Sequence, residues 1–300
     1  MALPTLRFGR KLRYGVEAAV FFAFMALFRI VGLDRASALG GWIGRNIFSR
    51  LPPDRIARAN LAGAFPEKSA AERDAIRMAM WDNLGRVVAE YPHLEKFAIA
   101  GPDPRIRVAG LGDASGVFAD GRGVMFLSAH LANWEMMPIA GQERGFEGAT
   151  VVRHPNNPYV ARWIARQRAL RGPQEQIGKH SGARRIFAQL RGGKAIYMLV
   201  DQKNDEGMAV PFFGRDAMTT PVPAALALKT GARILFASNH RLGGSRFEIT
   251  VHPGPDFQPS GDEARDIRTL TQTITAHIED IIRRDPAQWL WIHRRWPSTD

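Results

Sequence analysis

Apolar positions along this chain keep two different rhythms. Between residues 18 and 28 they form one unbroken run, bracketed by Glu17 and Arg29. A membrane span needs ~20 predominantly apolar residues. Residues 14–33 reach that length only with both charges near the ends, where long side chains snorkel. Helical patterns follow at residues 36–50, with Asp34 as a cap, and at 54–65 beyond a break at Pro52-Pro53. Ser69-Ala-Ala-Glu72 has the pattern of a capping box, and behind it Ile76, Met80, Leu84 and Val88 space a long amphipathic helix by fours.

From about residue 105 the period shortens. β-rich runs occur at 105–108, 123–128, 149–152, 195–200, 233–237 and 246–251. Helical stretches at 133–145, 158–171, 181–190 and 221–230 separate many of them, and a helix at 262–284 precedes an aromatic tail at 289–296. Strands alternating with helices predict βαβ units and a mostly parallel sheet flanked by helices, an α/β fold. No repeat, low-complexity tract or linker interrupts the chain after residue 34. The simplest division is a helical membrane-anchoring part at 1–33 and one domain at 34–300.

Charge sharpens this picture. The net charge is +12, from forty-one basic residues, only seven of them lysine, against 29 acidic ones. A GC-rich coding sequence accounts for some of the arginine. The functional reading is an anionic partner: a phospholipid surface, a phosphorylated substrate, an acidic carrier protein or nucleic acid. Arginine suits phosphate because its planar fork donates two hydrogen bonds at once. Nucleic acid has only the charge in its favour, since no recognition module is present. Arg7, Arg10, Lys11 and Arg13 precede any acidic residue, which sets the basic flank of the apolar run on the cytoplasmic side of a membrane. A signal peptide shares these features, but Arg29 follows the apolar core without a small-x-small cleavage site, favouring a retained anchor. Spanning and interfacial placements both remain open. The absence of cysteine excludes disulfides, thiol nucleophiles and thiolate metal sites.

No Gly-rich dinucleotide fingerprint, P-loop, G-x-S-x-G elbow or H-E-x-x-H helix is present. What stands out is Gly123-Val-Met-Phe-Leu-Ser-Ala-His130-Leu-Ala-Asn-Trp-Glu135, an apolar strand that ends in Ser-Ala-His just before a helix. Ligands bind at such strand exits in open parallel sheets. A tight turn would let the Glu135 carboxylate accept the second N–H of the His130 imidazole. That would fix one tautomer and leave the other nitrogen as a base able to take the proton of an attacking alcohol. Among eight histidines only His130 has an acid five residues on, yet chance supplies ~0.8 such pairs at this acid content. A capping or core histidine is the competing reading.

The segment resembles the H-x4-D/E motif of glycerolipid-type acyltransferases, and the whole chain resembles the lipid A biosynthesis lauroyl/myristoyl acyltransferase family. The similarity extends to Arg153-His-Pro-Asn-Asn-Pro158, to Asp201-Gln202 with Val210-Pro-Phe-Phe-Gly214 and Ala217-Met-Thr219, and to Gln288-Trp-Leu-Trp-Ile-His-Arg-Arg-Trp296. His154 between Arg153 and Pro155, and Pro221-Val-Pro223 after the Thr block, depart from the family pattern. The resemblance implies a glycerolipid-acyltransferase-like fold at the cytoplasmic (inner) membrane, with its catalytic domain on the cytoplasmic face. It implies acyl transfer from an acyl carrier protein thioester to a hydroxyl of an anionic lipid A precursor. His130 would be the base and Glu135 its orienting partner, while Arg153, Asn156, Asp201 and Gln202 would bind substrate or the oxyanion. No metal or resident cofactor is implied, since phosphopantetheine arrives on the donor.

Each further candidate has a plainer alternative. Arg153 follows a strand into the same crevice, or pairs with a nearby acid. Asp201 also follows a strand, where an Asx-turn is common. Phe212-Phe213-Gly214 reads as packing plus a turn, with an acyl-groove floor as the alternative, and Thr219 and Thr220 as caps of the helix at Pro221. Arg294 and Arg295, with Trp291 and Trp296, could contact lipid headgroups, or form a buried edge strand with arginine stems on tryptophan. His93, His180, His240, His252 and His277 read as structural or solvated, and nothing marks Ser128 as a nucleophile. Acylation of a lysophospholipid or another glycolipid is the nearest rival function, and a non-catalytic lipid-binding membrane protein the rival of another class.

Overall fold

The computed structural model describes residues 8–110, 114–170, 175–178 and 182–296. Arg7, His180 and the ends of the expected helices at 171 and 181 lie outside the described residues. The N-terminal third is helical as expected: α1 (Phe8–Val31), α2 (Leu33–Asn46), α3 (Asp54–Ala64) and α4 (Ala70–Glu90). Gly32, at φ 81°, turns the chain between α1 and α2 without a loop. Asp34 therefore falls inside α2 rather than capping it, and accepts from Arg105 at 2.6 Å instead. The box at Ser69 forms reciprocally: the Glu72 amide donates to Ser69 Oγ at 3.2 Å, and the Ser69 amide to Glu72 Oε2 at 2.7 Å. Asp54, buried at the start of α3, accepts from Arg77 and Trp81 of α4, each at 2.6 Å.

Seven strands form the main sheet in the order β1-β9-β8-β2-β5-β3-β4. They are β1 (Ile106–Ala109), β2 (Val124–Ser128), β3 (Gly148–Val152), β4 (Glu175–Gly178), β5 (Ala195–Leu199), β8 (Arg233–Gly243) and β9 (Arg246–His252). From β8 to β4 all neighbours run parallel; β9 returns antiparallel to β8 and carries β1 beside it. The fold is α/β with a mostly parallel sheet. Helices α5 (Met136–Glu143), α6 (Pro158–Ala169), α7 (Ala183–Arg191), α8 (Val222–Thr230) and α9 (Glu263–Arg284) supply the crossovers and cover. β2 is buried along its whole length. Its Met125 and Leu127 join a core with Leu61, Trp81 and Ile278, while Val124 and Phe126 join a second core with Met136 and Phe247. Burial on both faces explains why the central strands read as continuous apolar runs.

Three strands were not expected. β4 is a four-residue edge strand of sequence Glu-Gln-Ile-Gly, with no apolar run to announce it. β6 (Met208–Phe212) and β7 (Arg215–Thr219) make a separate hairpin, hidden by Pro211 in its first arm. Its turn residues Phe213 and Gly214 have φ 53° and 69°, the pair of positive values a type I′ turn requires. Phe213 pays for that strain by stacking on Trp289 and lying under Arg283, so the Phe-Phe-Gly block is indeed packing plus a turn. The aromatic tail is not a regular strand; a single bridge joins Trp289 to Leu131.

α2 and α4 cross at backbone contact through glycines. A Cβ on Gly44 would lie 1.9 Å from the Trp81 carbonyl oxygen, and one on Gly85 2.0 Å from that of Gly40. Gly44→Ala must push the helices apart and is expected to cost ~2 kcal/mol, typical of overpacking. Gly15→Ala, in open space on α1, should be neutral or slightly stabilising. Denaturant unfolding of both variants measures the contrast.

Candidate active site

The register of two neighbouring strands builds the site. β2 and β5 run parallel with Ser128 opposite Leu199, so two residues beyond the strand ends His130 and Asp201 stand abreast. His130 Nδ1 lies 2.9 Å from Asp201 Oδ1, and the His130 amide donates to Asp201 Oδ2 at 2.9 Å. Trp289 Nε1 from the C-terminal tail donates to Oδ2 at 2.7 Å. Burial opposes the charge of Asp201, but the His130 charge and these hydrogen bonds win and hold the carboxyl at about 2. An ionised acceptor at Nδ1 selects the tautomer with hydrogen there, leaving Nε2 as the basic nitrogen. Nε2 faces the Gln202 amide nitrogen at 3.3 Å, and the Trp134 ring stands edge-on at 5.1 Å.

Glu135 is not the partner of the imidazole. Its carboxylate accepts Arg168 Nε at 2.8 Å, a second Arg168 nitrogen at 2.6 Å and the Tyr91 hydroxyl at 2.6 Å. The reason is geometric. Glu135 sits at the mouth of α5 facing α6, whose last turn carries Arg168, while strand register brings Asp201 to His130. Burial opposes ionisation of Glu135, yet the Arg168 charge and its bidentate bonds keep the carboxyl below its ordinary value.

The loop between His130 and Glu135 is held against its own preference. Ala132 has φ 47°, unusual for a residue with a side chain. Its amide donates to the Gln288 carbonyl and its carbonyl accepts from Asn83, both at 3.0 Å. Asn133 is fully buried and donates to Glu90 at 2.9 Å, while Asn239 donates to the Asn133 carbonyl. Glu90, itself fully buried, is paired with Arg241 at 2.5 Å. Such over-determination is what sustains backbone strain.

A cleft of about 560 Å³ opens above these strand ends. His130, Trp134, Gln202 and the Glu135–Arg168 pair line it together with Arg153, which is exposed at the rim after β3. Asn156 is exposed and outside the lining. Its neighbour Asn157 is buried instead, capping α6 through the Tyr159 amide at 3.1 Å and donating to the Tyr14 carbonyl at 2.9 Å. Arg294 is exposed. Arg295 is only 1% exposed and donates to the Met218 carbonyl at 2.8 Å and Thr219 Oγ1 at 2.6 Å, a burial that removes it from any headgroup contact. Phe212 is buried away from the cleft, against Trp289 and Trp296, and does not floor it. Of the expected caps, Thr220 accepts the Val222 amide at 3.4 Å, whereas Thr219 turns to Arg295. His93, the ring of His277 and His240 take structural places on the Phe28 carbonyl, on Phe236 and beside Asp285. Among the described residues no group of three or more His, Asp or Glu side chains could hold a metal ion.

Comparison with known proteins places the chain in a family. The family model described as bacterial lipid A biosynthesis acyltransferase matches residues 6–298. The lipid A biosynthesis palmitoleoyltransferase of Escherichia coli (strain K12) is 28% identical, covering 82% of this chain and 79% of its own. The myristoyltransferase of lipid A biosynthesis from the same strain is 27% identical over 88% and 80% of the two chains. A phosphatidylinositol mannoside acyltransferase of Mycobacterium tuberculosis (strain ATCC 25618 / H37Rv) is 26% identical over 84% and 80%.

The two carboxylates are expected to fail differently. Asp201→Asn keeps the shape but loses the anion and the tautomer it selects, and should lower the acyl-transfer rate by about 10³-fold or more with the fold intact. Glu135→Gln uncovers the buried charge of Arg168 and should cost ~3 kcal/mol of stability. Initial rates and thermal unfolding of the pair separate the effects.

Proposed function

Since the chain belongs to the bacterial lipid A biosynthesis acyltransferases, we propose that it transfers a fatty acyl chain from acyl carrier protein to a hydroxyl of a lipid A precursor, with His130 as general base. The observation that carries this reading is the His130–Asp201 pair, whose Nε2, beside the Gln202 amide, lies at a cleft at the strand ends. Nε2 takes the proton of the acceptor hydroxyl as its oxygen forms a bond to the thioester carbonyl carbon. Collapse of the tetrahedral intermediate breaks the carbon–sulfur bond, and the imidazolium returns the proton to the departing thiolate. No acyl-enzyme is formed. Asp201 remains ionised throughout and stabilises the imidazolium. Gln202 and Arg153 supply donors near the developing oxyanion, while Glu135 holds Arg168 and Tyr91 in the cleft wall.

In the same reading α1 is the membrane anchor. Residues Gly9–Val31 are apolar and long enough to cross a bilayer, and Leu12, Val16, Val20, Leu27 and Ile30 are exposed along it. Held against the rest of the chain at Tyr14, Phe21 and Phe28, α1 lies in the interface rather than across the bilayer, which keeps the catalytic domain on the cytoplasmic face beside Arg10, Lys11 and Arg13, and the net positive charge attracts an acidic carrier and an anionic bilayer. The mannoside acyltransferase among the relatives supports a second reading, in which the acceptor is another glycolipid and the chemistry is unchanged.

His130→Ala in purified membranes is expected to reduce transfer from acyl carrier protein to a lipid A precursor by at least ~10³-fold. A wild-type rate in that variant would remove the base. Parallel assays with acyl-CoA as donor and with lysophospholipid or mannosylated phosphatidylinositol as acceptor identify the two substrates.

A further inference from the structure

Arg295 is a buried cation without an anionic hydrogen-bond partner among the described residues. Two of its nitrogens are spent on the Met218 carbonyl and on Thr219 Oγ1, and its carbon lies 4.8 Å over the Phe212 ring. Among the described residues its Nε has no hydrogen-bond partner, and neither has the hydroxyl of Thr271 on α9. Retaining an arginine here is costly unless a negative charge nearby offsets it. Desolvation pulls its own titration down to about 10, and the charge of Asp201 acts against that fall.

The unpartnered groups share one small space. A cavity of about 10 Å³, enough for a single water, is lined by Arg295, Asp201, Phe212, Thr219, Thr271 and Thr275. Asp201 and Arg295 are the ionisable groups on its wall; α9 brings threonine and isoleucine, and the segment entering α8 brings Thr220 and Pro223. Asp201 lines this cavity and not the cleft where His130 meets substrate, while Val200 and Thr220 wall both. On the cleft side, the charges around His130 are the Glu135–Arg168 pair, Arg153, Glu206 and His293.

We propose that Arg295 is a positioning residue for the proton transfer: the buried cation that keeps Asp201 an anion while His130 gains and releases its proton. The inference rests on the reading of His130 as base. When His130 carries its second proton, the hydrogen on Nδ1 could shift to Asp201 and cancel both charges. A fixed positive charge behind the carboxylate makes that shift unfavourable, so the imidazolium keeps both protons and delivers the one on Nε2 to the leaving sulfur.

The test is the pH dependence of kcat for Arg295→Met and Arg295→Lys, with thermal unfolding measured alongside and His130→Ala as the reference. Loss of the positive charge lets Asp201, and with it the His130–Asp201 pair, hold a proton more tightly. In Arg295→Met the acidic limb of the kcat profile is therefore expected to move up by about one pH unit, with kcat about tenfold lower and KM within about twofold. Arg295→Lys keeps the charge but not the fork, and its limb should stay at the wild-type position. Arg295→Gln, which retains a donor for Met218 and Thr219, replaces the Met variant if that one does not fold. A folded neutral variant with the wild-type limb, or Lys and neutral variants displaced alike, overturns the proposal. If His130→Ala retains the wild-type rate, the base itself is refuted; if it is inactive and the limb never moves, only the role of Arg295 falls.

Discussion

Asp201 is an anion enclosed by protein, and three N–H groups converge on it to offset the cost of burying its charge. One comes from the His130 ring, one from the His130 backbone and one from Trp289 near the C-terminus. These partners arrive from two separate parts of the chain, the exit of β2 and the tail, while Asp201 itself follows β5, so the charge is compensated only when β2, β5 and the tail are all in place. The tail in turn is fastened by Asn60, which donates to the Trp291 and His293 carbonyls at 2.7 Å each. The site is in this sense a late product of folding, assembled from the ends of elements rather than carried by any one of them.

A second tier of buried charge lies under the loop that follows β2. Glu90 with Arg241 and Glu135 with Arg168 are both close pairs, and each contributes hydrogen bonds to the surroundings of residues 131–135. Buried ion pairs are poor sources of net stability, because desolvation consumes most of the attraction. What they provide here is direction. Ala132 and Asn133 have fixed partners for their carbonyls, and the unfavourable turn at Ala132 is retained because relaxing it would leave several of these groups unpaired.

Much of this was legible in the chain. Apolar runs announced the central strands, the box at Ser69 announced α4, and the motif around His130 marked the strand exit that lines the cleft. The pairing of His130 was not legible from local spacing, since five residues separate it from Glu135 while its actual partner lies seventy-one residues away. Strand order holds that information: two apolar runs ending one residue before Ala129 and Val200 become neighbours only once the sheet order is known. Arg168 and Tyr91 gave no signal, one being an arginine in an arginine-rich helix and the other a tyrosine after a long helix. The hairpin at residues 208–219 was masked because a proline and a left-handed phenylalanine both argue against a strand pair in isolation. Tertiary packing against the tail tryptophans overrode that local preference.

The apolar helix α1 is stitched to the catalytic region along its length. Asn157, at the head of α6, holds the Tyr14 carbonyl and Glu17, and Trp163 stands edge-on to Phe21 at 5.3 Å. One residue before its end, α6 presents Arg168 to Glu135. Trimming α1 away to obtain a more tractable protein would therefore strip one flank of the helix that shapes the cleft wall and bare its tryptophan. The segment that a biochemist would discard as a handle is, mechanically, a buttress of the catalytic chamber.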